Sequence, residues 1–193
     1  MDGAIKLRKA FESLYPFSEE DWSEFSLRWK FYECSRKVVI TNVGEVERYL
    51  YFVVDGVQRV YYQDLHDREA TIVFTYSPSF GGVLDSLMLE QPSRYYFETL
   101  TPSVFLRIAR QDLFEYMDRH PSFSNMIRNG ITRTFSGVLE RLVELQCFSA
   151  EERFKRLLDR SPHILQLVPQ KYLANYLGMD PTNFSKLMNK VKI

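Results

Sequence analysis

A chain of 193 residues, 45% hydrophobic and 26% charged, has the composition of a soluble globular protein with room for one sizeable core and a smaller unit. No apolar run approaches the ~18 residues of a membrane span, and the opening M-D-G-A-I-K-L-R-K lacks the hydrophobic segment of a secretion signal, so a cytoplasmic location is expected. Cys34 and Cys147 are isolated, which excludes a disulfide framework, and the net charge of zero hides an asymmetry: residues 150–193 carry eight Lys/Arg against four Asp/Glu, residues 1–149 carry 17 against 21.

Residues 4–15 and 18–32 have helical spacing. Ser18 followed by E-E-D makes an N-cap with an acidic first turn, and Trp22, Phe25, Leu27 and Trp29 supply apolar contacts. From Val38 to about Arg110 the period shortens, and six strands are expected: V-V-I, Y-L-Y-F-V-V, V-Q-R-V-Y-Y, A-T-I-V-F-T-Y, R-Y-Y-F-E-T-L and S-V-F-L-R-I. Six strands at this spacing curl into a sandwich or roll. Asp55-Gly56 marks a tight turn of the type I′ hairpin kind. Helical spacing returns in Q-D-L-F-E-Y-M-D-R and then, from Pro121, continues for about seven turns through Ile127, Ile131, Phe135, Val138, Leu142 and Leu145. Phe123, Met126, Leu139 and Val143 widen this stripe. It packs either within one chain or, as its width favours, against a second copy as a homodimer interface. Ser149 and Glu152 form a capping box, so a new helix and a third unit start near residue 149. The chain thus divides into 1–120, 121–148 and 149–193.

The last stretch, P-Q-K-Y-L-A-N-Y-L-G-M-D-P-T-N-F-S-K-L-M-N-K, has a helix-turn-helix register. Ala174 is small where a second helix comes close, Gly178 suits the turn, and Asp180 caps a helix that Pro181 opens. Phe184, Leu187 and Val191 face inward. Thr182, Asn183, Ser185, Lys186 and Asn189 then form an outer face of groove-reading type, with Gln170, Lys171, Lys186, Lys190 and Lys192 placed for phosphates and the basic balance of this unit in support. The plainer reading is a helical hairpin closing a core.

Helical segment, roll, long helix and terminal helix pair together resemble the Crp/Fnr family of bacterial transcription regulators, in its short Bacteroidetes-type form. The local signatures are L-Y-F-V-V-D-G-V, F-G-G with R-Y-Y, and S-A-E-E-R-F-K-R-L-L with V-P-Q-K-Y-L-A-N-Y-L-G-M. The resemblance implies an α+β fold with a cyclic-nucleotide-binding-like β-roll, double-stranded DNA and RNA polymerase as partners, and a small-molecule effector held by a phosphate-binding cassette. Phe80, Gly82 and Leu84 match that cassette, and Arg94 falls on the family arginine. Val83 stands where the family has a ribose-binding Glu and Tyr95 where it has Ser or Thr, so cyclic AMP binding of the standard kind is not expected; Asp85 would point elsewhere. At the DNA end Pro181, Thr182 and Lys186 stand where better-known members carry Arg and Glu, so a different operator is expected. With Ile193 the last residue, the family's usual wing is not expected.

No catalytic role is expected. His66, His120 and His163 are scattered, and no nucleophile-base pair, metal-ligand cluster or phosphate-binding P-loop is present. The rival reading is a ligand- or protein-binding roll whose helix pair no longer grips DNA.

Overall fold

The computed structural model describes residues 2–190. Two short helices, α1 (Asp2–Glu12) and α2 (Glu19–Ser26), precede eight strands: β1 (Lys30–Cys34), β2 (Val39–Thr41), β3 (Tyr49–Asp55), β4 (Val57–Gln63), β5 (Glu69–Tyr76), β6 (Ser79–Gly81), β7 (Tyr96–Thr99) and β8 (Ser103–Ala109). Helix α3 (Leu84–Leu89) lies between β6 and β7, and six helices follow β8: α4 (Arg110–Arg119), α5 (Pro121–Cys147), α6 (Ala150–Arg160), α7 (Ile164–Leu167), α8 (Gln170–Tyr176) and α9 (Pro181–Lys190). The strands form two antiparallel four-stranded sheets, ordered β1-β8-β3-β6 and β2-β7-β4-β5, that face each other as a roll.

Three apolar clusters stack through the molecule. Outside the first sheet, Phe52 and Ile108 meet α1, α2, α4 and the start of α5 through Phe11, Phe25, Tyr116 and Phe123. Between the sheets lie Tyr51, Val53, Val60, Phe97 and Phe105. Outside the second sheet, Val57, Leu100, Phe74 and Tyr76 join Phe154, Leu157, Leu173 and Phe184 of the C-terminal helices. This layering explains the continuous apolar run of β3. Its Phe52 side faces helices, its Tyr51 and Val53 side faces the other sheet, and both are covered.

Local chemistry places the starts of α2 and α6 where the sequence puts them. Ser18 Oγ accepts the Asp21 amide, and Ser149 and Glu152 complete a reciprocal capping box. Three expectations are corrected. Residues 30–32 are not helical: α2 ends at Ser26 and K-F-Y-E-C pairs with β8, because alternation at Tyr32 and Cys34 reaches the inter-sheet core. Among the described residues there are eight strands rather than six, β6 having formed where S-F-G-G reads as a break, held by pairing with β3. Asp55-Gly56 is not a type I′ hairpin. β3 and β4 belong to different sheets, only Gly56 has positive φ (+89°), and the pair turns the chain from one sheet to the other.

That corner tolerates no side chain. A Cβ on Gly56 would lie 2.5 Å from both Pro102 O and Ser103 Oγ. Gly56→Ala is expected to destabilise the protein by about 2 kcal/mol or more, lowering the melting temperature by roughly 5 °C in thermal unfolding.

Candidate functional site

The C-terminal helix pair is built by its turn. Helix α8 ends with Met179 N–H donating to Ala174 O (2.9 Å) and Gly178 N–H to Asn175 O (3.0 Å), the double closure of a Schellman turn, and Gly178 takes φ +63°. Asp180 then caps α9, its Oδ1 accepting the Thr182 amide at 2.8 Å, with Pro181 in the first helical position. Phe184 is buried edge-on against Phe154 (5.5 Å between rings), and Leu187 is half-buried. Consequently Pro181, Thr182, Asn183, Ser185, Lys186 and Asn189 are all exposed on one outer face, and Gln170 and Lys171 are exposed in the first turn of α8. An open cleft of about 590 Å³ separates α9 from the start of α6, lined by Glu151, Arg153, Asn183 and Lys186 among others. Lys190 pairs with Glu151 at 3.0 Å, and with Lys155 it pulls that carboxyl down to about 2. Val191 and Lys192 lie outside the described residues.

This helix pair is fastened to the roll. β5 is an edge strand, and the Asn175 side chain completes it: Oδ1 accepts the Thr71 amide and Nδ2 donates to Glu69 O, both at 2.7 Å. Beside it, the nearly buried Arg59 donates to Glu98 (2.9 Å) and Glu69 (2.5 Å) and lies 4.4 Å from the centre of the Tyr172 ring. Burial opposes the Arg59 charge, but the two carboxylates outweigh it and hold the guanidinium above its ordinary pKa. Lys37 donates to Tyr172 Oη; burial raises that phenol, yet the hydrogen bonds from Lys37 and Lys171 bring it below the usual tyrosine value. Sequence spacing carries no sign of Asn175 or Arg59 in these roles, since their partners are far away along the chain.

In the roll, the cassette residues are spread over different environments. Phe80 pairs with Phe52 and turns toward the helices, with its ring 5.1 Å from Phe11. Gly82 has φ +111°, Val83 is buried, Leu84 and Tyr95 are half-buried, and Asp85 is exposed. Arg94 is exposed and forms no ion pair among the described residues. The turn before α3 is occupied by a residue that sequence reasoning missed. Buried Glu47 accepts Val83 N–H (3.3 Å) and Thr41 Oγ1 (2.6 Å) on one oxygen, and the Arg48 and Tyr49 amides (3.0 and 3.2 Å) on the other. Its own amide donates to Ser86 Oγ at 2.9 Å. Burial pushes the Glu47 carboxyl above its ordinary value, against those donors.

Along α5, Phe123 and Met126 are buried against the roll and Ile127 packs on the same cluster, so the beginning of the expected stripe is used within the chain. Ile131 is half-buried. Phe135, Val138, Leu142 and Leu145 remain exposed, together with Leu139 and Val143. Near its end, buried Glu144 takes a bidentate grip from Arg160 of α6 (2.5 and 3.0 Å).

Residues 33–120 match the family model of the cyclic nucleotide-binding domain. The chain matches none of the curated proteins by sequence. Among solved structures it is similar to FixK2 from Bradyrhizobium japonicum (15% identity, 84% of this chain and 83% of that one, TM-score 0.77). It is also similar to the c-di-GMP responsive global regulator CLP of Xanthomonas campestris (16%, 90% and 91%, 0.67) and to the catabolite activator protein of Thermus thermophilus (18%, 92% and 84%, 0.58). At these identities the likeness is one of fold, and that fold is the Crp/Fnr one: roll, long helix, C-terminal helices. No described helix is long and apolar enough to cross a membrane.

Two predictions follow from these contacts. Asn175→Ala should leave the roll folded but raise hydrogen exchange at the Thr71 amide and across α8 by about tenfold or more, read by exchange mass spectrometry. The Arg160 hydrogen bonds hold the Glu144 carboxyl below its ordinary value of 4.5. Its contribution to stability is therefore present above that value and lost as the pH falls through the depressed one. Glu144→Gln should flatten that part of the acid-unfolding profile.

Proposed function

We propose that this chain, a cyclic nucleotide-binding domain joined to helices in the Crp/Fnr arrangement, is a sequence-specific DNA-binding transcription regulator that acts as a homodimer and does not hold cyclic AMP in the standard way. The observation that carries this reading is the division of α9 into a buried face at Phe184 and an exposed polar face at Thr182, Asn183, Ser185, Lys186 and Asn189. Those side chains can donate to or accept from base edges in the major groove, and α9 starts from a capped, proline-fixed turn that aims them as a set. Gln170, Lys171 and Lys190 are placed at the ends of the two helices, where phosphate contacts set the docking angle.

Dimerisation rests on the exposed half of α5. Phe135, Val138, Leu139, Leu142 and Val143 form a run of apolar side chains on a rod about 40 Å long. A second copy would cover it with an equivalent stripe and bring two α9 helices to successive major grooves, which calls for a near-palindromic operator. RNA polymerase would be a partner of the DNA-bound dimer. The similar protein CLP, a global regulator linked to gene expression, supports the non-enzymatic reading.

The cassette supports loss of ordinary cyclic nucleotide recognition. Val83 supplies no carboxylate for a ribose, its amide is already engaged by Glu47, and Arg94 is turned to solvent. A further carboxylate beside a phosphate would repel it.

Selection of bound duplexes from a random pool, with purified protein and no added nucleotide, is expected to enrich a palindrome. Failure to enrich any sequence, with or without cyclic AMP or cyclic GMP, would favour a roll that binds a ligand or protein and leaves DNA alone. On the selected site, Lys186→Ala should weaken binding by about tenfold, and by less on random duplex. Equal losses on both would place Lys186 on the phosphate backbone.

A further inference from the structure

One guanidinium inside the roll is left without a counter-charge. Arg107 on β8 lies opposite Tyr51 of β3, and Phe105, two residues back, lies opposite Val53. Tyr51, Val53 and Phe105 all belong to the inter-sheet core, so strand alternation puts Arg107 on the same interior face. There it is clamped between two rings, 3.9 Å from the centre of Tyr32 and 4.2 Å from that of Tyr49. Its Nε is buried and has no hydrogen-bond partner, and among the described residues it forms no ion pair. A buried donor on a charged group is costly to leave unmet. The neighbouring charges do not meet it. Lys30 lies directly opposite on β1 and adds a second cation at the rim, while the Glu47 carboxylate is taken up by Thr41 and the amides of Arg48, Tyr49 and Val83.

We propose that Arg107, held between Tyr32 and Tyr49, is the anion receptor of this roll, and that its ligand is a small molecule carrying an oxyanion, a carboxylate or a phosphate, in contact with the guanidinium edge. Stacking fixes the guanidinium plane, the Tyr51 hydroxyl lies within hydrogen-bonding reach of one donor, and a guanidinium fork is the geometry that grips two oxygens at once. Tyr32, Tyr49 and Arg107 are each half-buried, so the site lies at the mouth of the roll rather than sealed within it. The assignment rests on the proposed reading of the roll as a domain that holds an effector and transfers its anion contact from the cassette arginine, Arg94, to a strand residue.

The test uses the full chain without DNA, so that its outcome is independent of whether α9 reads an operator. Inorganic phosphate, benzoate and cyclic AMP are titrated to about 10 mM at constant ionic strength, followed by calorimetry and by the Nε–H signals of 15N-arginine-labelled protein. The expected result is saturable binding of phosphate or benzoate that shifts the Arg107 Nε–H signal. Arg107→Gln should weaken that binding about tenfold or more, and Arg94→Gln should leave it within about twofold. Binding of phosphate alone identifies a phosphate ligand, of benzoate alone a carboxylate. Where Arg107→Gln fails to fold, the unsubstituted protein decides through the Arg107 signal, and Arg107→Lys, which keeps the charge but not the fork, should bind more weakly. The proposal is overturned when no probe binds, when the Arg107 signal stays fixed during saturation, or when Arg94→Gln abolishes binding that Arg107→Gln retains.

Discussion

The ion cluster around Arg59 is the constraint on which the rest of the molecule depends. Arg59 lies on the second sheet with its side chain 3% exposed, joined to Glu98 of β7 and Glu69 of β5 and stacked on Tyr61 and Tyr172. A charge so far from water is held only because every direction offers a partner, and loss of both carboxylates would leave it uncompensated at about 3–5 kcal/mol. The cluster also ties three strands and α8 to one point. The C-terminal helices are therefore continuous with the roll's outer surface, sharing Val57, Leu100, Phe74 and Tyr76 with it, and Tyr76 Oη meets Ser161 Oγ at 2.6 Å.

Glu47 does for the first half of the chain what Arg59 does for the second. Five hydrogen bonds, four to its carboxylate and one from its amide, bind the loop after β2 to the turn before α3 and to α3 itself. The turn is thus set by protein groups alone. A carboxylate in that place also gives the loop one negative charge that no ligand has to supply, while the unpaired guanidinium of Arg107 stands on the neighbouring strands.

How much of this was legible in the sequence follows the range of each interaction. The caps at Ser18, Ser149 and Asp180, the Gly178 turn and the inward Phe184 are closed within five residues, and local spacing reveals all of them. Six of the strands show in β-branched and aromatic runs, but β1 and β6 do not. Lys30–Cys34 continues a helical segment without a break residue, and Ser79–Gly81 looks like a turn until β3 is beside it. Arg59 and Glu98 are 39 residues apart and Thr71 and Asn175 are 104 apart, so nothing local marks either pair. The cassette residues could be aligned by pattern, yet the pattern does not contain Glu47, whose role exists only once the loop folds over α3.

With the helix pair fastened to the roll, the place where motion could alter the proposed DNA recognition narrows. Within one chain, α8 is held at Thr71 and Glu69, α6 is held to α5 by Arg160 on Glu144, and the α8–α9 turn rests on Leu145, 3.2 Å from where a Gly178 Cβ would stand. These contacts tie roll, α5 and α9 to one another. What remains free is the angle at which two copies of α5 would cross along Phe135, Val138, Leu142 and their neighbours. A small rotation there is multiplied by the distance to α9, so a change of crossing angle alters the spacing of the two outer faces without altering either subunit. An effector at the mouth of the roll would act on that angle through the strands that pack on the beginning of α5, where Phe123 and Met126 are buried against the first sheet and its helices.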